Sequence, residues 1–207
     1  MKKFNEDFKT ELYQTIEDLE NSSQVEVVAI IKRQSGNYRD ISLLSGAVIL
    51  FLAYTYFMFA PTVFEVYSIY FMTIIAFLIG FSIVEFILPV QKLLTGKKRL
   101  EKNVELYSRA IFQKAGIRHT QEKIGILFYV SLFEKKVKIL ADKGAENSIP
   151  SEEMQKIKND FQEIFKSSDL PNEFLSKLQN CKEIFAKYIP PIEDDINELS
   201  DDLDIDI

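Results

Sequence analysis

The sequence predicts a small α/β domain interrupted after its first strand by a two-helix transmembrane hairpin. Three observations lead there. Two uncharged runs, Ile41 to Ala60 and Val66 to Val84, hold twenty and nineteen residues, each enough as a helix to cross a hydrocarbon core of about 30 Å. Short apolar runs of strand length lie on both sides of them. The remaining segments repeat apolar residues at steps of three and four, the mark of amphipathic helices.

The first element is a helix over residues 3–20, where Phe4, Phe8, Leu12, Ile16 and Leu19 form one stripe that Asn21-Ser22-Ser23 ends. Gln24 to Ile31 is then a β-branched run without Gly or Pro, nearly continuous as a strand buried on both faces is. Such a strand needs partners, and none precede the apolar runs.

The hairpin comes next, with helices at Ile41 to Ala60 and about Val66 to Leu88 joined by Pro61 to Glu65. Ten and eleven Leu, Ile, Val or Phe residues favour insertion by roughly 3 to 6 kcal/mol per helix. Glu85 is the main opposing group, and its place a few residues before Pro89 and Lys92 puts it near a helix end, where the penalty is small. Lys32, Arg33 and Arg39 precede the pair, Lys97, Lys98, Arg99 and Lys102 follow it, and the connecting loop has no Lys or Arg. The positive-inside rule therefore predicts a two-span protein of the cell (inner) membrane with both termini cytoplasmic. The basic cluster marks the membrane interface, with anionic lipid contact as its physical consequence. The start of the chain has no apolar h-region and is not read as a signal peptide. Ser42 and Gly46 on the first helix, and Ala76 and Gly80 on the second, have the small-xxx-small spacing that lets helices approach closely in lipid.

Beyond the hairpin, Leu100, Val104, Tyr107 and Ile111 mark a helix ending near Gly116. Ile124 to Leu132 and Val137 to Ala141 are two strands joined by a tight turn at Phe133 to Lys136, and the simplest closure pairs the first strand with both. Pro150 and Ser151 start a helix with Ser151 as its N-cap, and Met154, Ile157, Phe161, Ile164 and Phe165 are its buried side. Pro171 opens another helix that runs to about Tyr188, before Pro190-Pro191. The chain divides accordingly into residues 1–39, the N-terminal helix and first strand; 40–90, the hairpin; 91–190, the rest of the soluble domain; and 191–207, an acidic tail.

That tail has six Asp and two Glu and no Lys or Arg. It reads as a solvated end, with divalent-cation binding or a contact with the basic helix as functional alternatives. One cysteine, Cys181, falls on the apolar spacing of Phe174, Leu178 and Phe185 and reads as core. A single histidine, His119, leaves no Cys/His zinc cluster. No Gly-rich phosphate loop or activated Ser or Cys motif is present. The basic residues lie against the membrane without a groove-reading motif, so nucleic acid is not an expected partner.

The order of the soluble pieces resembles a known family. Glu26 within the first strand, Gly125-Ile126-Leu127 in the second, Glu134 in the turn, Ala141-Asp142-Lys143-Gly144 after the third, and Asp195 to Leu199 in the tail are similar to the TPM domain. The likeness covers roughly residues 8–33 and 100–203, and it fits the membrane-inserted bacterial branch, which carries a hairpin between strand and helix. The same family includes plant thylakoid-lumen proteins of photosystem II repair. The resemblance implies an α/β/α sandwich, with calcium binding and acid phosphatase activity proposed for plant members. It also implies Glu26, Glu134, Asp142 and Asp195 as candidate ligands of calcium or magnesium. Family members often have Asn-Gly before the second strand and an acidic residue followed by Arg in the turn, whereas this chain has Ile124-Gly125 and Glu134-Lys135.

Two functions follow as expectations. The first is a cytoplasmic-face interaction or accessory module that binds a membrane-protein partner or self-associates in the lipid bilayer, with no catalysis. The alternative is a divalent-metal-dependent phosphatase. Glu134 and Asp142 are expected at opposite ends of the second and third strands, so that one site holds one of them.

Overall fold

The computed structural model of the protein describes residues 4–115, 117, 123–192 and the backbone of 205–206. It is a mixed α/β chain that separates into two compact units, 1–35 with 104–207, and 36–103.

In the first unit, α1 (Glu6–Glu20) starts at Asn5, whose side chain accepts a hydrogen bond from the Phe8 amide, and buries Phe8, Leu12, Ile16 and Leu19. The strand β1 (Val27–Lys32) follows. Strands β2 (Ile126–Ser131) and β3 (Lys136–Ala141) form an antiparallel hairpin with Ser131 opposite Lys136. Lys135, the last turn residue, takes the left-handed conformation (φ 52°) that closes the turn onto β3. The sheet order is β3-β2-β1-β4, with β1 parallel to β2 from Val27–Ile126 to Lys32–Ser131. β1 therefore pairs with β2 and does not reach β3. Its other edge takes the short β4 (Ile205–Asp206), in parallel, within the tail read as a solvated end.

The period of two along each strand sends the apolar residues to two separate cores. Val27, Ala29, Ile31, Phe128, Val130 and Ile139 face α1, α7 (Ser151–Gln162) and α8 (Leu170–Tyr188), burying Phe161, Phe174, Leu178 and Phe185. The opposite face, with Ile30, Leu127 and Tyr129, packs on Val104 and Phe112 of α5 (Lys97–Lys114) and on Ile117. The buried line of α5 is Leu100, Val104, Ser108 and Phe112, while Tyr107 is exposed, its ring centroid 5.8 Å from that of Tyr129 and the two rings tilted by 40°. A short helix, α6 (Lys143–Ser148), and a 3₁₀ turn at Glu163–Lys166 extend the predicted pattern. Ser151 is the first helical residue of α7 and not its cap. Pro150, extended at φ −54° and ψ 140°, holds that place, because proline cannot donate to the preceding turn and ends the extended segment there.

The second unit contains α2 (Arg39–Phe59) and α3 (Val66–Phe86), each 21 residues, with mean hydropathy of 1.9 and 2.1. Both are long and apolar enough to cross a membrane. A break at Ile87 separates α3 from α4 (Leu88–Thr95), with Pro89 in the first turn of α4, where a missing amide proton does no harm. Gly96 (φ 77°, ψ 144°) then turns the chain into α5 through a conformation that only glycine adopts readily.

Candidate functional site

At the carboxyl ends of the parallel strands β1 and β2, four polar side chains are buried together. Ser35 follows β1, Tyr129 and Ser131 lie on β2, and Glu134 is in the β2–β3 turn; Glu134 is 2% exposed. The Ser35 amide donates to Glu134 Oε1 at 2.9 Å. The Ser131 hydroxyl donates to Glu134 Oε2. The Ser35 hydroxyl in turn donates to Ser131 Oγ at 2.8 Å.

These bonds use the single proton of each serine, so in the 2.7 Å contact between Ser35 Oγ and the Tyr129 hydroxyl the tyrosine is the donor. The protons run one way, from Tyr129 through Ser35 and Ser131 to the carboxylate. Burial raises the Tyr129 pKa to about 12, which keeps that first proton in place. Lys32, buried on the same face, is in register with Ser131. Ligands of open α/β sheets commonly bind at this end of parallel strands, but here the end is filled by bonded side chains. The arrangement can hold the exit of β1 against the hairpin turn; with Glu134 so enclosed, it cannot present that carboxylate to a substrate.

Glu26 and Asp142 lie at the opposite end. The Ile126 amide bonds Glu26 O at 2.8 Å and the Asp142 amide bonds Gly125 O at 2.9 Å, so Glu26, Gly125 and Asp142 form one row across three strands. Alternation puts both carboxylates on the α5 face, about 10 Å apart between their Cα atoms. Gly125 between them cannot carry a side chain, because its Cβ would lie 2.4 Å from Ile117 Cγ2. Both acids are buried, and Asp142 Oδ2 has no hydrogen-bond partner among the described residues.

The structure thus brings Glu26 and Asp142 to one end and leaves Glu134 at the other, roughly 20 Å along the strands; Asp195 lies outside the described residues, as does His119. A hard cation takes six to eight oxygen ligands. Among the described residues, no group of three or more His, Cys, Asp or Glu could hold a metal ion. Two carboxylates in a row do not make such a cage, and no chemistry through a metal follows from them. Ser35, Tyr129 and Ser131 had no place in the reading of the sequence. Their one signal was Ser131, a hydroxyl within an otherwise apolar strand.

In the second unit, Gly46 and Gly80 mark the crossing of α2 and α3. A Cβ on Gly80 would lie 3.2 Å from Gly46 Cα and 2.8 Å from Ile49 Cγ1. Ser42 is fully buried and accepts from Gln91 Nε2 at 3.2 Å, while Ala76 is half-buried. Arg39 meets Glu85 at 3.4 Å. Arg99 grips Asp40 through two bonds of 2.6 and 2.8 Å and lies over the Tyr38 ring. Lys97, Lys98 and Lys102 are exposed.

Comparison with known proteins adds three findings. No curated protein matches the chain. The solution structure of the BA42 protein from the psychrophilic bacterium Bizionia argentinensis superimposes with a TM-score of 0.57, covering 97% of this chain and 94% of that one at 14% identity, a likeness of fold alone. Residues 88–172, from α4 through the hairpin and α7 to the start of α8, match the family model of the TPM domain. α1 and β1 lie outside the matched residues, although β1 is hydrogen-bonded into the same sheet. This chain carries a TPM domain.

Proposed function

We propose that the protein is a membrane-anchored TPM domain, held at the cytoplasmic face of the cell membrane by α2 and α3, that works as an interaction or accessory module for a membrane-protein partner. The single observation that carries the non-catalytic part is the burial of every described candidate carboxylate. Glu26, Glu134 and Asp142 are 7%, 2% and 8% exposed, so no substrate phosphate meets them without opening the fold. Anchoring is supported by the large apolar side chains that cover the outside of both helices, among them Leu44, Phe51, Tyr70 and Leu78. Orientation is supported by the Lys and Arg flanks.

The partner's seat in this reading is the groove of about 330 Å³ between α1 and α8, lined by Glu11, Asp18, Asn172 and Gln179. α1 carries six acidic residues against Lys9 alone, which suits a basic segment of the partner.

Affinity purification from native membranes tests the module. A stoichiometric membrane protein that is lost with Glu11→Lys and Asp18→Lys is expected, and the absence of any partner counts against the reading. Phosphate release that survives purification and disappears in Glu26→Gln or Asp142→Asn establishes the phosphatase alternative instead. For topology, a cysteine at Thr62 is expected to react with an impermeant thiol reagent on intact cells and one at Asn147 to stay unlabelled; the reverse pattern inverts the anchor.

A further inference from the structure

We infer that the second unit holds one anionic phospholipid, one of its two acyl chains in a groove along α2 and α3 and its headgroup phosphate at Lys97 and Lys98. The inference rests on the membrane reading above.

The groove has a volume of about 400 Å³ and is walled by Leu44 and Val48 of α2, Ile83 of α3 and Leu94 of α4. Its concavity has a cause in the sequence. Ser45 and Gly80 line it where larger residues would fill it, and Gly80 must stay bare because α2 passes within contact of its Cα. The α2 residues that line it run from Ile41 to Ile49, about 12 Å of helix. One leaflet of hydrocarbon is about 15 Å deep. The groove therefore serves a single leaflet, and its lining lies toward the end of α2 that carries Arg39 and Asp40.

The charges at that end choose the lipid. Arg39 is paired with Glu85 and Arg99 with Asp40. Lys97 and Lys98 are exposed and make no ion pair among the described residues, and they follow Leu94 by three and four positions. A groove for one chain beside uncompensated lysines fits a phospholipid of net negative charge better than a zwitterionic one. A third apolar helix or a second copy of the chain would fill the groove without using the lysines.

Native mass spectrometry of the full chain in detergent, after delipidation and titration with phosphatidylglycerol or phosphatidylcholine of matched chains, tests the inference. One phosphatidylglycerol per chain is expected, preferred over phosphatidylcholine. Ser45→Trp, which fills the groove, is expected to weaken its binding at least about tenfold. Lys97→Gln with Lys98→Gln, at the surface and harmless to folding, is expected to abolish most of the headgroup preference while leaving chain binding. Equal binding of both lipids by the unaltered chain overturns the inference, as does a Ser45→Trp protein that binds as before or loses a dimer in place of a lipid. A chain that stays soluble without detergent contradicts the membrane reading itself, whereas one that needs detergent yet retains no lipid contradicts only the lipid site.

Discussion

The Ser35 amide donates a 2.9 Å hydrogen bond to Glu134, a residue 99 positions further along the chain. It joins the last residue of the sheet unit before the second unit begins to the β2–β3 turn. Removing the carboxylate leaves the Ser35 amide and the Ser131 hydroxyl buried without an acceptor. Glu134→Ala is therefore expected to cost about 3 kcal/mol, and Glu134→Gln less, because its amide oxygen still accepts one of the two bonds. Chemical denaturation of the detergent-solubilised protein measures both; a loss under about 1 kcal/mol for the alanine variant would show that the network contributes little.

Gly80 touches α2 backbone, so any side chain there separates the helices. Gly80→Leu is expected to destabilise the hairpin by about 1 to 3 kcal/mol, as overpacking does elsewhere. An unchanged melting temperature in detergent contradicts the close crossing.

Glu105 of α5 is paired first with Lys138 of β3 and then with Arg109, which together hold its carboxyl below the ordinary value of 4.5. A depressed folded pKa gives stability that is present above the unfolded value and is lost as pH falls through the folded one. Because all three side chains are partly solvated, the contribution is below about 1 kcal/mol. Lys138→Ala should remove the larger part of it at pH 7, the Arg109 pair keeping the rest, and have no such effect below the folded titration. An equal loss at pH 7 and at pH 2 would assign the change to packing.

Cys181 is buried on α8, and burial pushes its thiol up to about 12. Thiolate is scarce at pH 8, so labelling should follow unfolding and accelerate with denaturant. Fast stoichiometric reaction of the native protein would place Cys181 outside the core.

The sequence by itself determined the elements whose burial is local. Two unbroken apolar runs, the four-residue stripes of α1 and α7, the β2–β3 hairpin with its polar turn and the proline that opens α8 are each written within twenty or so consecutive residues, where periodicity alone reports which side meets the core. The separation of Glu134 from Asp142 was legible for the same reason, since strand rise is a local quantity.

Tertiary structure decided what depends on residues far apart. The placing of β1 beside β2 and not β3, the use of its other edge by Ile205–Asp206, and the meeting of Ser35 with Tyr129, Ser131 and Glu134 each join segments about a hundred or more residues apart. No single segment states a register with another, because pairing energy resides in contacts that exist only once both strands are in place. The hydrogen bond from Gln91 to Ser42, 49 positions earlier, is of the same kind, whereas the stop of α3 before Pro89 is a local signal that the sequence carries.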